Sequence, residues 1–114
     1  MSRHDDSVRL RHMLDAARRA VSLVGGRTRA QVEADEIGLL ALARLLEIVG
    51  EAAGRVTSDY RAAHPEVPWP EMSGLRNRLA HAYFDVDLDV LLDVVSKDLP
   101  PLIARLESLA GPGA

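Results

Sequence analysis

Within Gly74–Asp87, "GLRNRLAHAYFDVD", the side chains of Arg76, Asn77, Arg78, His81 and Tyr83 can hold and transform a phosphate. A histidine that titrates near neutrality gives or takes a proton at physiological pH. An arginine, always charged, can grip a phosphate and stabilise the extra negative charge as its phosphorus becomes five-coordinate. Asn77 could orient the imidazole of His81 or bind a phosphate oxygen, and Arg78 is a further candidate for contact with RNA. RNA carries its own nucleophile, the 2′-hydroxyl, so cleavage to a 2′,3′-cyclic phosphate needs no metal. Two copies of the stretch, brought together across a dimer, would supply both an acid and a base.

Placed on a helix at about 100° per residue, Met72, Leu75, Leu79 and Ala82 cluster on one side and are expected to face the core. Arg76, Ala80, Asn77 and His81 spread across the adjacent sector, with Tyr83 between that sector and the apolar side. Three polar groups then line one edge of a buried helix, and Ala80 leaves a pocket floor wide enough for a phosphate. Taken alone, an arginine five residues before a histidine is a commonplace spacing. The competing reading is a structural arginine, a hydrogen-bonded histidine and a half-buried packing tyrosine.

The elements that must position this stretch are helical. Residues 5–24 form a first amphipathic helix, with Leu10, Met13, Leu14, Ala17, Val21 and Val24 on one stripe. His4, Arg11 and Arg18 recur on another side, either as a solvated face or as a phosphate-facing one. "GGR" ends the helix, and Thr28-Arg29-Ala30-Gln31 has the form of a capping box that restarts one. A long helix follows over about 35–56, where Ile37, Leu39, Leu40, Leu42, Leu45, Leu46, Ile48 and Val49 cover most of the circumference. A helix apolar nearly all round is buried on several sides, more than this short chain can cover by itself, so a second subunit is expected against it. Its polar exceptions, Arg44, Glu47, Glu51 and Arg55, make one narrow stripe. Glu51 and Arg55 read as a supporting i, i+4 pair, or the stripe is a polar wall lining a cleft near the motif, with Glu51 a possible contact. A short helix at 58–64 precedes "PEVPWP", an extended connector that Trp69 should anchor, and Pro70 can open the next helix. A last helix from Leu88 to Leu109 should kink or divide at Pro100 and Pro101, and the end, 111–114, reads as a frayed tail.

The totals agree. Apolar residues are 47% of the 114-residue chain but aromatic ones only 4%, and seventeen Leu and sixteen Ala favour helix over sheet. The expectation is a single all-α domain over 1–114, an up-and-down bundle of four to five main helices, assembled as a homodimer. No cysteine is present, which excludes disulfides and thiolate metal sites. The charged N-terminus lacks the apolar stretch of a secretory signal, and "IGLLALARLL" is about half the length that spans a bilayer, so a cytoplasmic protein is expected. The net charge of −3 argues against indiscriminate nucleic-acid binding, yet thirteen of the fourteen basic residues are Arg, the better partner for phosphate. His4, His12, His64 and His81 lack metal-ligand spacing, and no phosphate-binding glycine loop or serine-nucleophile motif occurs; neither metal nor cofactor is expected.

In order along the chain, "DSVRLRHMLDAARRAV", "IVGEAAGRV" and "PEVPWPEMSGLRNRLAHAYFDVDLDVLLDVVSKDLPPL" resemble the HepT-like branch of the HEPN superfamily over essentially the full length. Its motif of Arg, a polar residue, three more residues and His-x-Tyr is met by Arg76, Asn77, His81 and Tyr83. The resemblance implies the toxin of a type VII-like toxin–antitoxin pair, a metal-independent endoribonuclease with a composite site at a homodimer interface. It implies that Arg76 and His81 carry RNA cleavage with Asn77 assisting. It also implies that Tyr83 is AMPylated by a partner antitoxin, a minimal nucleotidyltransferase. The alternative is a non-catalytic, nucleotide-binding subunit that docks such a transferase.

Overall fold

In the computed structural model, which describes residues 3–79 and 87–111, the predicted helices form close to the expected limits. Helix α1 (Arg3–Val24) buries Leu10, Met13, Leu14, Ala17 and Ala20. It stops where Gly25 N–H donates to the Val21 carbonyl (2.9 Å) and Gly26 turns the chain at φ +75°. Near its start Asp6 is buried, and its two carboxylate oxygens accept from the Thr57 N–H (2.8 Å) and the Thr57 hydroxyl (2.7 Å). That link joins the beginning of α1 to the residues just past α3, so the two long helices run antiparallel.

Helix α2 (Arg29–Ala34) has the predicted reciprocal cap: Thr28 Oγ1 accepts from Gln31 N–H, and Gln31 Oε1 accepts from Thr28 N–H. Asp35 caps α3 (Glu36–Arg55) by accepting from Gly38 N–H at 2.9 Å. This bond holds the Asp35 carboxyl below its ordinary value against an opposing desolvation, and Arg27, paired with it at 3.1 Å, adds to the lowering. Leu42, Leu46, Val49, Ala52 and Ala53 of α3 are buried, but Ile37 and Leu40 are 76% and 70% exposed. The expected burial of α3 on several sides is therefore incomplete within one chain.

Helix α4 (Ser58–Ala63) starts on Thr57 and ends at His64, before Pro65. Trp69 anchors the connector: it is buried, and its indole N–H donates to the His64 carbonyl (2.9 Å). Sequence periodicity ran without a break through 72–82, whereas the structure divides the segment at Gly74 into α5 (Trp69–Ser73) and α6 (Leu75–Leu79). The division follows from Gly74 closing α5, its N–H donating to the Pro70 carbonyl at 3.0 Å, with φ −87° and ψ 1°. Met72, Leu75 and Leu79 still point into the core as predicted; Ala82 lies outside the described residues.

The last helical rod is α7 (Leu88–Asp93), a π-helical turn (Val94–Asp98) and α8 (Leu99–Ala110). The prolines widen the helix rather than break it. Pro100 and Pro101 cannot donate, and their rings would crowd the carbonyls four residues back. The turn before them opens to i→i−5 geometry, with Leu99 N–H donating to the Val94 carbonyl. The rod returns along α1, so that Leu109 and Ala110 meet Ser7, Leu10 and Arg11 around a cavity of about 270 Å³. Helix α1 thus lies between α3 and α8, while α5 and α6 cover another side of α3. The expected main helices are α1, α3, α5–α6 and α7–α8, an all-α bundle without a strand among the described residues. Among those residues no helix is long and apolar enough to cross a membrane.

The tightest approach in the bundle is between α3 and α5. A Cβ added at Gly50 would stand 2.9 Å from the Met72 carbonyl oxygen, whereas one at Gly54, a turn later, would meet nothing closer than the Ser73 Cβ at 3.8 Å. Mid-helix glycine costs about 1 kcal/mol relative to alanine, and overpacking a core costs about 1–3 kcal/mol. Gly50→Ala should therefore lower stability by a net ~1–2 kcal/mol in urea unfolding, and Gly54→Ala should raise it by up to ~1 kcal/mol. Equal effects at the two positions would contradict the close approach.

Candidate active site

The described part of the motif sits on α6, held by Leu75 and Leu79, both buried against the core. Arg76, Asn77 and Arg78, on the same five-residue helix, are exposed. Packing accounts for the two leucines and leaves the three polar side chains at the surface. His81 and Tyr83 lie outside the described residues. The flanking chain is fixed on both sides of them, because Asp87 N–H donates to the Leu79 carbonyl at 3.0 Å. Asp87 then caps α7 by accepting from Val90 N–H at 3.2 Å.

Arg76 and Arg78 leave α6 in different directions. Arg78 Nη1 is 3.4 Å from Asp98 Oδ2 at the end of the π-helical turn, so its charge is engaged by the last helical rod. Arg76 turns toward α3, where its Nε lies 3.8 Å from Glu47 Oε1. The same Glu47 oxygen is 3.8 Å from Arg44 Nη1, and that nitrogen also donates to Glu51 Oε1 at 3.2 Å. Glu51 pairs with Arg44 rather than with Arg55, as the long arginine side chain reaches across two turns of helix. The polar stripe of α3 thus stands beside the motif helix, and Arg44, Glu47, Glu51 and Arg76 form one charged cluster.

Helical spacing puts Glu47 only in a stripe and gives it no partner. Its contact joins two helices 29 positions apart, for which no short-range pattern exists. Asp98, in the aspartate-rich segment before the last helix, likewise meets its partner Arg78 across separate helices. On α1, Arg18 of the basic face pairs with Glu107 at 2.6 Å, and the neighbouring Arg19 pairs with Asp15 at 3.3 Å. Arg29 of α2 pairs with Asp89 of α7. Among the described residues, no group of His, Cys, Asp and Glu is arranged to hold a metal ion.

A cluster of this kind offers a cationic grip on an anion at the edge of a helix, with an acidic residue beside the arginine. Comparison with known proteins gives that grip a family context. The family model described as "Ribonuclease HepT-like" matches residues 13–109. A protein of Thermococcus cleftensis named "Probable ribonuclease HepT" is 46% identical over 69 residues, 60% of this chain and 63% of its own length. A Methanocaldococcus jannaschii protein named "Putative RNase" is 45% identical over 67 residues, 59% of this chain and 62% of its own length. The matched segments thus span under two thirds of these two relatives. A "Putative RNase" of Caldanaerobacter subterraneus is 30% identical over 100 residues, covering 88% of this chain and 89% of that protein. No solved structure matches the chain. With a matching family model over most of its length, an all-α bundle, and the Arg76–Tyr83 motif in sequence, the chain belongs to the HepT-like ribonuclease family.

Proposed function

We propose that this chain is the toxin of a type VII-like toxin–antitoxin pair, an endoribonuclease that cuts RNA by internal attack of the 2′-hydroxyl. The observation that carries the reading is the exposure of Arg76 and Asn77 on a helix otherwise buried through Leu75 and Leu79, within a chain of the HepT-like family. The 2′-oxygen attacks the neighbouring phosphorus and gives up its proton to a base. The bond from phosphorus to the 5′-oxygen breaks, and that oxygen takes a proton from an acid. The products are a 2′,3′-cyclic phosphate and a 5′-hydroxyl. Arg76 stabilises the charge on the five-coordinate phosphorus, His81 carries a proton, and Asn77 holds the imidazole or a phosphate oxygen. Because the nucleophile belongs to the RNA, the reaction requires no metal-bound water.

One histidine cannot be acid and base in the same step, which calls for a second copy of the motif. The exposed Ile37 and Leu40 share a face of α3 with Arg44, Glu47 and Glu51, by spacings of three, four and seven residues. An apolar surface continuous with the charged cluster favours a homodimer whose interface adjoins both copies of the site. Neutralisation follows from the same motif. A minimal nucleotidyltransferase partner transfers AMP from ATP to the Tyr83 hydroxyl, with release of pyrophosphate. The adduct adds an anionic phosphate to the same motif as Arg76, seven residues on in sequence, to compete with the RNA backbone.

Cleavage of a mixed RNA pool should yield cyclic-phosphate ends, proceed in the presence of a chelator, and fall at least about a hundredfold in Arg76→Ala and in His81→Ala. Undiminished cleavage by both variants would overturn the assignment, and a protein that binds the transferase but cuts no RNA would be a docking subunit instead. Co-expression with the partner transferase should add one or more AMP units to the chain, located on Tyr83 by peptide mass spectrometry and absent from Tyr83→Phe. Growth arrest relieved equally well in Tyr83→Phe would exclude this route of control.

A further inference from the structure

A guanidinium group presents two separate hydrogen-bonding edges: one made of Nε and an Nη, the other of the two Nη groups. Gripping a phosphate with two parallel bonds requires that one edge be turned outward and kept there. Arg76 meets Glu47 through Nε, at 3.8 Å from Oε1. The glutamate is the better-fixed member, with its side chain 31% exposed against 76% for Arg76, and it projects from a long helix buried through Leu46 and Val49. Arg44 lies at the same distance from the same oxygen and is held in turn by Glu51 at 3.2 Å. The carboxylate therefore stands between two cations, one on its own helix and one on the motif helix.

The contact is not needed to seat α6, which Leu75 and Leu79 already bury. At 3.8 Å it is an ionic contact longer than a hydrogen bond, so it directs the arginine without immobilising it. Exposed ion pairs of this kind contribute little to folding. We propose that Glu47 is a positioning residue for Arg76: it engages the Nε edge and leaves the paired Nη groups facing outward for the RNA phosphate. The proposal rests on the reading that Arg76 contacts the phosphate undergoing cleavage. When RNA covers the cluster and displaces water, the Glu47–Arg76 attraction strengthens and the orientation becomes firm at the moment of reaction.

The test is Glu47→Gln, nearly identical in shape and lacking the charge, read in two ways. In single-turnover cleavage at saturating RNA, the rate should fall about tenfold or more, as expected when a catalytic group loses its geometry. Binding of an RNA made uncleavable by 2′-deoxy substitution should change by less than about threefold, since the Nη groups remain available and a nearby negative charge has been removed. Independently of cleavage, the Arg76 Nε–H signal in a ¹⁵N correlation spectrum, assigned by its loss in Arg76→Lys, should lie apart from the mobile arginines and return toward them in Glu47→Gln. Glu33→Gln, the same change on the exposed surface of α2, should alter neither readout. An unchanged rate, or an Arg76 signal that does not respond, would overturn the positioning role. If the wild-type protein cuts no RNA while the signal moves, the orientation of Arg76 by Glu47 stands and the ribonuclease reading alone falls.

Discussion

A five-residue helix has no stability of its own, because nucleating a helical turn costs more than so few hydrogen bonds return. The position of Arg76 therefore depends on the burial of Leu75 and Leu79 against the core. Fully burying a leucine contributes about 1.5–3 kcal/mol, so two of them suffice to hold α6 where its own backbone cannot. Their seat is prepared by α3, whose side at Gly50 is bare enough for the Met72 carbonyl to approach closely. Through this contact the segment before the motif is fixed on the same long helix that carries Glu47. The charged cluster at the site is in that sense a product of apolar packing.

Electrostatics explains how an acidic chain rich in arginine matches part of its basic surface with acids. The basic residues crowd the first quarter of the sequence and the aspartates gather before the last helix, an imbalance that in the linear chain suggests a phosphate-binding end. Folding brings Arg29 of the basic region onto Asp89 of the acidic one, and Arg18 onto Glu107 of the last helix. Most of these pairs are exposed and each is worth no more than about 1 kcal/mol, so they set the arrangement of the helices less than they neutralise it. Beside α6, by contrast, Arg76 shares its acid with Arg44 and keeps most of its surface open to solvent.

Much of the fold was legible because its signals are local. The capping box at Thr28, the glycine stop after α1, the anchoring of the connector by Trp69 and the apolar stripes of α1 and α8 each follow from a few neighbouring residues. The break at Gly74 was missed because hydrophobic spacing continues through it, and Met72 and Leu75 reach the core from either side of the division. At the site, where His81 and Tyr83 lie outside the described residues, the placement of Arg76 and Asn77 on the helix that carries Leu75 and Leu79 could be read directly. Glu47 beside Arg76 and Asp98 beside Arg78 could not, because pairs that bridge separate helices leave no periodic trace. The narrow polar stripe on α3 was the one available sign, and it offered a wall as one of two readings without saying which residue stood next to the arginine.

The π-helical turn at Val94–Asp98 carries a consequence for how the chain tolerates change in length. Such a turn is an α-helix that has absorbed one additional residue, and here it lies where Ser96 and Lys97 are exposed. A one-residue deletion at that point would tighten the turn and press the rings of Pro100 and Pro101 back onto the preceding helical carbonyls. The Arg78–Asp98 pair ends at the same junction, so a change in length there also shifts the acid that engages the motif helix. The junction thus joins the register of the C-terminal rod to the placement of the site.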